Sequence, residues 1–454
     1  MAKLLLRAGF CLHAGLGLAV AALPFCMPPQ ASSQTPRRLP GIFPILGFGK
    51  KKATTPEPPP LKATQPPALT IPVEPLGFSS PGQFYLGMRD SLVSLDFLDE
   101  NRLLFTFRVP GLLHRDSATS DSSNARQIRA LVLSLPEGTV QTEAVWTLHD
   151  RTRYLYMLDK GQFLLRDRND LQLGDSSLQL KPFLHFPGPV LWVEQDPARQ
   201  YLVTGSAEPR GETPKPDEVP RPATAQATVL GEEKVAPEEP DIVLRILRRD
   251  SGKVMLVSRV RSAVHLPINT DGYLEALRSK GTAWILNLNY FTGGSKVLGS
   301  VDSVCNPIIH FISPAEFLVR ACNSNGDPKL VAMGTNGRRL WENSGIGPSV
   351  WPQVVAAPDG SRTAWETLVT DHGVNAFSPL GSEDIKAQAV QVFDTATGKV
   401  VLRAQASPIF DAGGNVAISP SGRRVAVLMA GAIQVFDLPP APALPVVPVD
   451  KGAQ

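Results

Sequence analysis

Gln391-Val392-Phe393-Asp394 returns as Gln434-Val435-Phe436-Asp437, an offset of 43 residues. Upstream of each copy stands a turn followed by an alternating strand: Pro358-Asp359-Gly360-Ser361-Arg362-Thr363-Ala364-Trp365, then Pro420-Ser421-Gly422-Arg423-Arg424-Val425-Ala426-Val427. A glycine turn, a strand and a second strand ending in Phe-Asp make a small antiparallel sheet, used at least twice. A single such sheet cannot bury its own faces. Units of roughly 40–50 residues built this way stack on one another as the blades of a β-propeller.

Working outward, turn glycines at Gly252, Gly293 and Gly337 keep nearly the same spacing, and Leu133-Ser134 leads to Gly138 in the same manner. Strand-like runs separated by Asn, Asp, Gly and Pro turns continue upstream to about Gln83, with no convincing long amphipathic helix. The chain is therefore all-β. Units fall near 90–148, 150–186, 188–261, 264–301, 304–342, 350–404 and 413–438. Seven four-stranded blades is the best count, bracketed by six and eight. The last unit shows only two clear strands, so an N-terminal strand is expected to complete it and leave no open edge. Phe84-Tyr85-Leu86 is the segment this reading selects.

Ile418-Ser419-Pro420-Ser421-Gly422-Arg423-Arg424-Val425-Ala426-Val427, followed by Ile433-Gln434-Val435-Phe436-Asp437, resembles the bacterial WD-repeat-like and TolB-type propellers. In those families a Ser-Pro-Asp-Gly turn precedes an apolar strand. The likeness is clearest over 350–438 and depends on period alone elsewhere. Ser421 replaces the usual Asp, and the Gly-His to Trp-Asp pair of the eukaryotic repeat is absent. What the resemblance implies is a fold. Propellers serve as enzymes, scaffolds and receptors alike.

The rest of the chain frames this body. Lys3 and Arg7 precede an apolar stretch, Gly9 to Leu23, that reads as an export signal within residues 1–31, with small residues for cleavage near position 21 or 31. An uncleaved membrane anchor is the competing reading, and Leu23-Pro24-Phe25-Cys26 departs from a lipoprotein box at Phe25. Residues 32–81 have the composition of a Pro-rich disordered linker, interrupted by the apolar octet Gly41–Phe48. Residues 207–240, rich in Pro, Glu and Ala, read as a disordered insertion within one blade, and 439–454 as a disordered tail. Beyond the N-terminus no apolar run is long enough to span a bilayer, so a membrane is expected to be met only through an uncleaved anchor. The expected localisation is periplasmic or extracellular, and the expected state monomeric.

In an oxidising compartment Cys305 and Cys322 become a disulfide candidate. A two-residue turn at Ser313-Pro314 would set Cys305 directly across from Cys322, within bridging reach; a longer turn would move them apart. Two buried free thiols are the alternative.

Chemical motifs are few. Gly-x-Ser-x-Gly, the phosphate-binding Gly-x-x-x-x-Gly-Lys-Ser/Thr loop, His-Glu-x-x-His and Cys-x-x-Cys do not occur. The seven histidines lie on different elements. Asn323-Ser324-Asn325-Gly326-Asp327 places oxygen donors at alternate positions but lacks the closing Glu of a calcium loop, and reads as a turn. No catalytic, cofactor-binding or metal residues are assigned. A net charge of +3 argues against a nucleic-acid surface. Two functions remain: an exported, non-enzymatic module that binds or scaffolds a protein or peptide, or a small-ligand receptor or enzyme with its site at the channel mouth.

Overall fold

The turn that repeats in the sequence is also what repeats in space. In the computed structural model Gly360 and Gly422 both take a left-handed backbone, with φ of 74° and 65°. A side chain at Gly360 would stand 2.7 Å from the Ile312 carbonyl oxygen of the preceding sheet. Only glycine fits both demands. Just past each turn an arginine opens the second strand of its sheet, and the Phe-Asp aspartate closes the third strand directly opposite it. The register pairs Arg362 with Asp394 and Arg424 with Asp437. The sequence repeat is thus one ion-paired corner used twice: Arg362 Nη1 donates to Asp394 inside the protein, and Arg424 Nε donates to Asp437 near the surface at 3.2 Å.

The structure describes residues 63–80, 91–109, 125–209, 241–260, 266–344, 349–372 and 381–442, which lie within one unit spanning Glu57–Gln454. They form a seven-bladed β-propeller. Six sheets have four antiparallel strands. The inner strands are Val93–Asp99, Leu155–Met157, Val190–Gln195, Ile308–Ser313, Ser349–Ala356 and Val416–Ile418. Blade 4 has three strands, Gly272–Arg278, Ala283–Tyr290 and Ser295–Asp302. Its inner position is reduced to a single bridge between Ile268 and Tyr273. Apolar side chains from facing sheets interlock between blades. Trp146 meets Phe163 across blades 1 and 2, and Trp341 stacks on Phe393 across blades 5 and 6 with ring centroids 6.0 Å apart.

An N-terminal strand closes the ring, but it is not the one expected. Leu69–Pro72 pairs with the third strand of blade 7, Leu69 opposite Val435 and Pro72 opposite Ala432. Phe84-Tyr85-Leu86 lie outside the described residues. Leu69-Thr70-Ile71 was hidden by the prolines around it, although an outermost strand is where a proline can sit without costing a ladder bond. Ile71 and Val73 are buried in the same core as Phe78, whose ring packs edge-on against Phe105 and Phe107. The folded body also reaches back to Thr64, whose amide donates to the Arg403 carbonyl of blade 6. The second half of the stretch read as linker therefore belongs to the ring.

Two further boundaries move. The second strand of blade 3 runs through Ala207 to Glu208, because the Glu208 carboxylate is held by Arg245 (Nη2···Oε2 3.1 Å). Pro439, read as the first residue of the tail, accepts a 2.7 Å hydrogen bond from Arg362.

The connections are unequally shared between the two ends of the ring. Every link longer than six residues between consecutive strands leaves from one face: 73–92, 109–125, 209–240, 261–271, 371–384 and 407–415. Between consecutive strands the opposite face carries only short turns, of which 175–180 is the longest; the chain also enters the ring before Leu69 and leaves it after Asp437 on this face. Inner strands run from the long-connection face toward the short-turn face.

Candidate functional site: the central channel

The inner strands surround a cavity of about 630 Å³ on the propeller axis. Each blade contributes to its wall: Phe97, Tyr156, Val193, Ile268, Phe311, Val355 and Ala417 come from blades 1 to 7 in turn. A mostly apolar wall with a few charged groups, at this volume, suits a small ligand or a few residues of a peptide.

The charged groups are separated along the axis. Arg153 lies just before an inner strand begins, and Arg320 lies opposite Ile308, the first residue of another; both stand toward the long-connection face. Glu194 and Asp196 stand at the far end of their strand, toward the short turns, with Arg199 beside them. Asp96 sits on the wall of blade 1. Burial pushes its carboxyl up to about 6, against a 2.6 Å hydrogen bond from the Ser94 hydroxyl and the charges of Arg153 and Arg199. Burial also raises Asp196, although the Tyr201 amide donates to its carboxylate at 2.6 Å.

The three channel arginines differ in what holds them. Arg153 donates from Nε to the Leu155 carbonyl at 3.1 Å and lies over the Tyr156 ring, 5.0 Å from its centroid. Arg199 donates to the Leu158 carbonyl and lies in the field of Asp159, Asp196 and Asp96. Arg320 makes no side-chain hydrogen bond or ion pair with any described residue, and its Nε is buried without a partner. Burial alone pushes this guanidinium down to about 10.

Arg320, Arg153, Arg199 and Asp96 carry no signal in the sequence, because no local spacing connects residues that come from four different blades to one axis. Of the histidines described, only His310 belongs to the channel wall. His149 and His185 pair with Asp167 and Asp170, at 3.1 and 2.7 Å. His13, His114 and His265 lie outside the described residues. Trp192 lines the channel, whereas Trp146, Trp341 and Trp365 pack between blades. Asn323–Asp327 forms a hairpin turn, Asn325 Nδ2 donating to Asp327 at 2.6 Å.

One cluster has metal-ligand chemistry that the sequence reading did not assemble. Asp371, His372 and Asp384 bring potential ligand atoms within 4.8 Å of one another on the long-connection side of blade 6. Lys386 already stands 3.4 Å from Asp371, and the Gly381 amide donates to Asp384 at 2.7 Å. These partners make it a polar knot that ties down the connection.

Cys305 and Cys322 are joined by a disulfide with 5.5 Å between Cα atoms. The hairpin register differs by one residue from the expected one: Ser313 faces Glu316 across a Pro314-Ala315 turn, and Phe311 faces Phe317 after a bulge. Such a slip would ordinarily turn one cysteine away. Cys305 lies before its strand begins at Ile308, so the ladder does not constrain it. The Ser303 hydroxyl helps place both, donating to the Cys305 carbonyl at 2.7 Å and accepting from the Cys322 amide at 3.0 Å. The disulfide staples the strand end two residues beyond Arg320.

No family model and no curated protein matches the chain. Solved structures do. The WD40 domain of Toxoplasma gondii coronin is 9% identical over 84% of this chain and 87% of that one, with a TM-score of 0.43. The propeller domain of the Trilobed protease from Pyrococcus furiosus is 11% identical over 77% and 94%, at 0.41. Uncomplexed acylaminoacyl peptidase from Pyrococcus horikoshii is 9% identical over 80% of this chain, at 0.45; the match takes in only 53% of the peptidase. These likenesses are of fold. Among the described residues no helix is long and apolar enough to cross a membrane.

Proposed function

We propose that this protein is an exported, non-enzymatic binding propeller whose partner, a protein or peptide, is received at the channel mouth on the long-connection face. The observation that carries this reading is the asymmetry of the ring. Between consecutive strands one end has only short turns, while the other combines every long connection with an arginine that has no side-chain partner among the described residues. Variable connections on a rigid scaffold are where binding residues concentrate. The disulfide supports export, since such bonds persist in oxidising compartments, as does the signal-like N-terminus.

The test is site-specific photo-crosslinking in the intact secretory or envelope fraction. Leu191, 39% exposed on the channel wall, is one position for the crosslinking residue; Val140, 43% exposed beside a short turn, is the control. A discrete adduct from position 191 and none from 140 is the expected result. Equal labelling at both, or none at 191, would sink this reading. A small-ligand receptor at the same mouth is the second reading, favoured by a cavity of about 630 Å³ to which every blade contributes wall residues.

A further inference from the structure

Buried arginines in this propeller come with partners. Arg126 donates to the Ser91 carbonyl, Arg166 pairs with Asp150, Arg245 with Glu208, and Arg362 with Asp394. Arg166, Arg245 and Arg362 are thus each answered by a carboxylate where they are desolvated, and Arg126 by a carbonyl, as the energetics of buried charge favour. Arg320 breaks the pattern. A buried Nε without a hydrogen-bond partner is common to Arg126, Arg166, Arg320 and Arg362, but only Arg320 of these lines the cavity, and its side chain has no hydrogen bond or carboxylate partner at all among the described residues. The neighbouring charges do not supply one. Arg153 and Arg199 offset Asp96, and Arg199 also offsets Asp196. Glu194 belongs to the opposite end of the channel.

We infer that the channel end around Arg320 is a carboxylate site, in which the guanidinium receives the acid group of a ligand whose apolar body lies against Leu191, Trp192 and Ile308. The inference rests on the binding reading above and names its chemistry. A planar guanidinium matches a carboxylate through two parallel hydrogen bonds, and this match strengthens where water is excluded. A single uncompensated cation calls for a monoanion. Asp96 on the wall, with Glu194 and Asp196 at the channel's other end, weighs against phosphates and other polyanions. The cavity of about 630 Å³ admits an aryl- or alkyl-alkanoate or the last few residues of a peptide with a free C-terminus. Both sources present the same group to Arg320.

The experiment uses the full mature protein and paired probes. One set is a panel of aryl- and alkyl-alkanoates, each beside its primary amide. The other is a set of tripeptides ending in Leu or Phe, as free acids and as C-terminal amides. Binding is read by calorimetry and by thermal shift. The expected result is that at least one acid binds about tenfold or more tightly than its amide. Arg320→Gln should then erase that preference without lowering the melting temperature, and Arg320→Lys should restore it in part. Preference confined to the alkanoates identifies a small organic acid; preference confined to the peptides identifies a C-terminus. Acids and amides binding equally well would overturn the carboxylate assignment while leaving the binding reading standing. No binding by any acid would overturn it too, and crosslinking at Leu191 would then report separately on the broader reading. A melting temperature that falls in Arg320→Gln, with acid preference intact, would make the arginine structural and overturn the proposal.

Discussion

Two arginines in adjacent blades meet the same physical problem and resolve it differently. Arg362 and Arg320 are both desolvated, and burial lowers both from the ordinary arginine range. Arg362 starts the second strand of blade 6 and is answered from within the fold by Asp394 and the Pro439 carbonyl. Arg320 lies near the end of the second strand of blade 5, beside the channel, and has no such answer among the described residues. A buried cation that the fold compensates belongs to the architecture. One that the fold leaves open stores a preference for an anion from outside.

The contrast breaks most directly at Arg362. Arg362→Ala leaves Asp394, 6% exposed, without its partner. It should cost about 3–5 kcal/mol of unfolding free energy in urea titrations. A loss below about 1 kcal/mol would show that the corner is not what anchors blade 6 to the C-terminal strand. Next comes the staple beside Arg320. Cys305→Ser, or reduction of the 17-residue span, should destabilise by about 2–4 kcal/mol and weaken acid binding along with it. Equal melting temperatures with and without reductant would rule that out.

A third test uses a buried acid in the compensated half of the ring. Glu366 accepts a 2.8 Å hydrogen bond from Gln388, which is locked amide to amide with Asn415 of blade 7. Burial nevertheless pushes the Glu366 carboxyl from 4.5 up to about 7. The folded protein therefore holds this proton more tightly than the unfolded chain. Its contribution to stability is full below pH 4.5 and is lost as the pH rises through about 7. Glu366→Gln should abolish that decline and stabilise the protein by on the order of 2 kcal/mol at pH 8, read from urea midpoints across pH. A wild-type profile flat between pH 5 and 8 would contradict it. The smallest effect belongs to Arg320 itself. Arg320→Gln should leave stability within about 1 kcal/mol, on the favourable side, because it removes an uncompensated charge.

The propeller was legible because its signals are local. Period-two strands, left-handed glycines and the Arg–Asp corner all lie within one blade's length of sequence, so the chain shows them in order. Seven units, with boundaries close to those observed, followed from that spacing. Leu69–Pro72 was missed because a four-residue strand framed by prolines has too few alternating positions to stand out, and its pairing partner lies at the far end of the chain. The hairpin register slipped by one because a bulge before Ser313 leaves no mark in composition.

The channel was not legible. Arg320, Trp192, Asp96 and Ile268 meet only because ring closure brings the inner edges of different blades onto one axis. Nothing in their sequence neighbourhoods separates Arg320 from any other strand arginine. Hydrophobic period, turn chemistry and repeat spacing act through near neighbours and therefore set the blade. The arginines answered inside a sheet find their carboxylates within about one blade's length, whereas the charges on the channel wall, Asp96, Arg153 and Arg199 among them, come from different blades, and only the closed ring decides which of them meet.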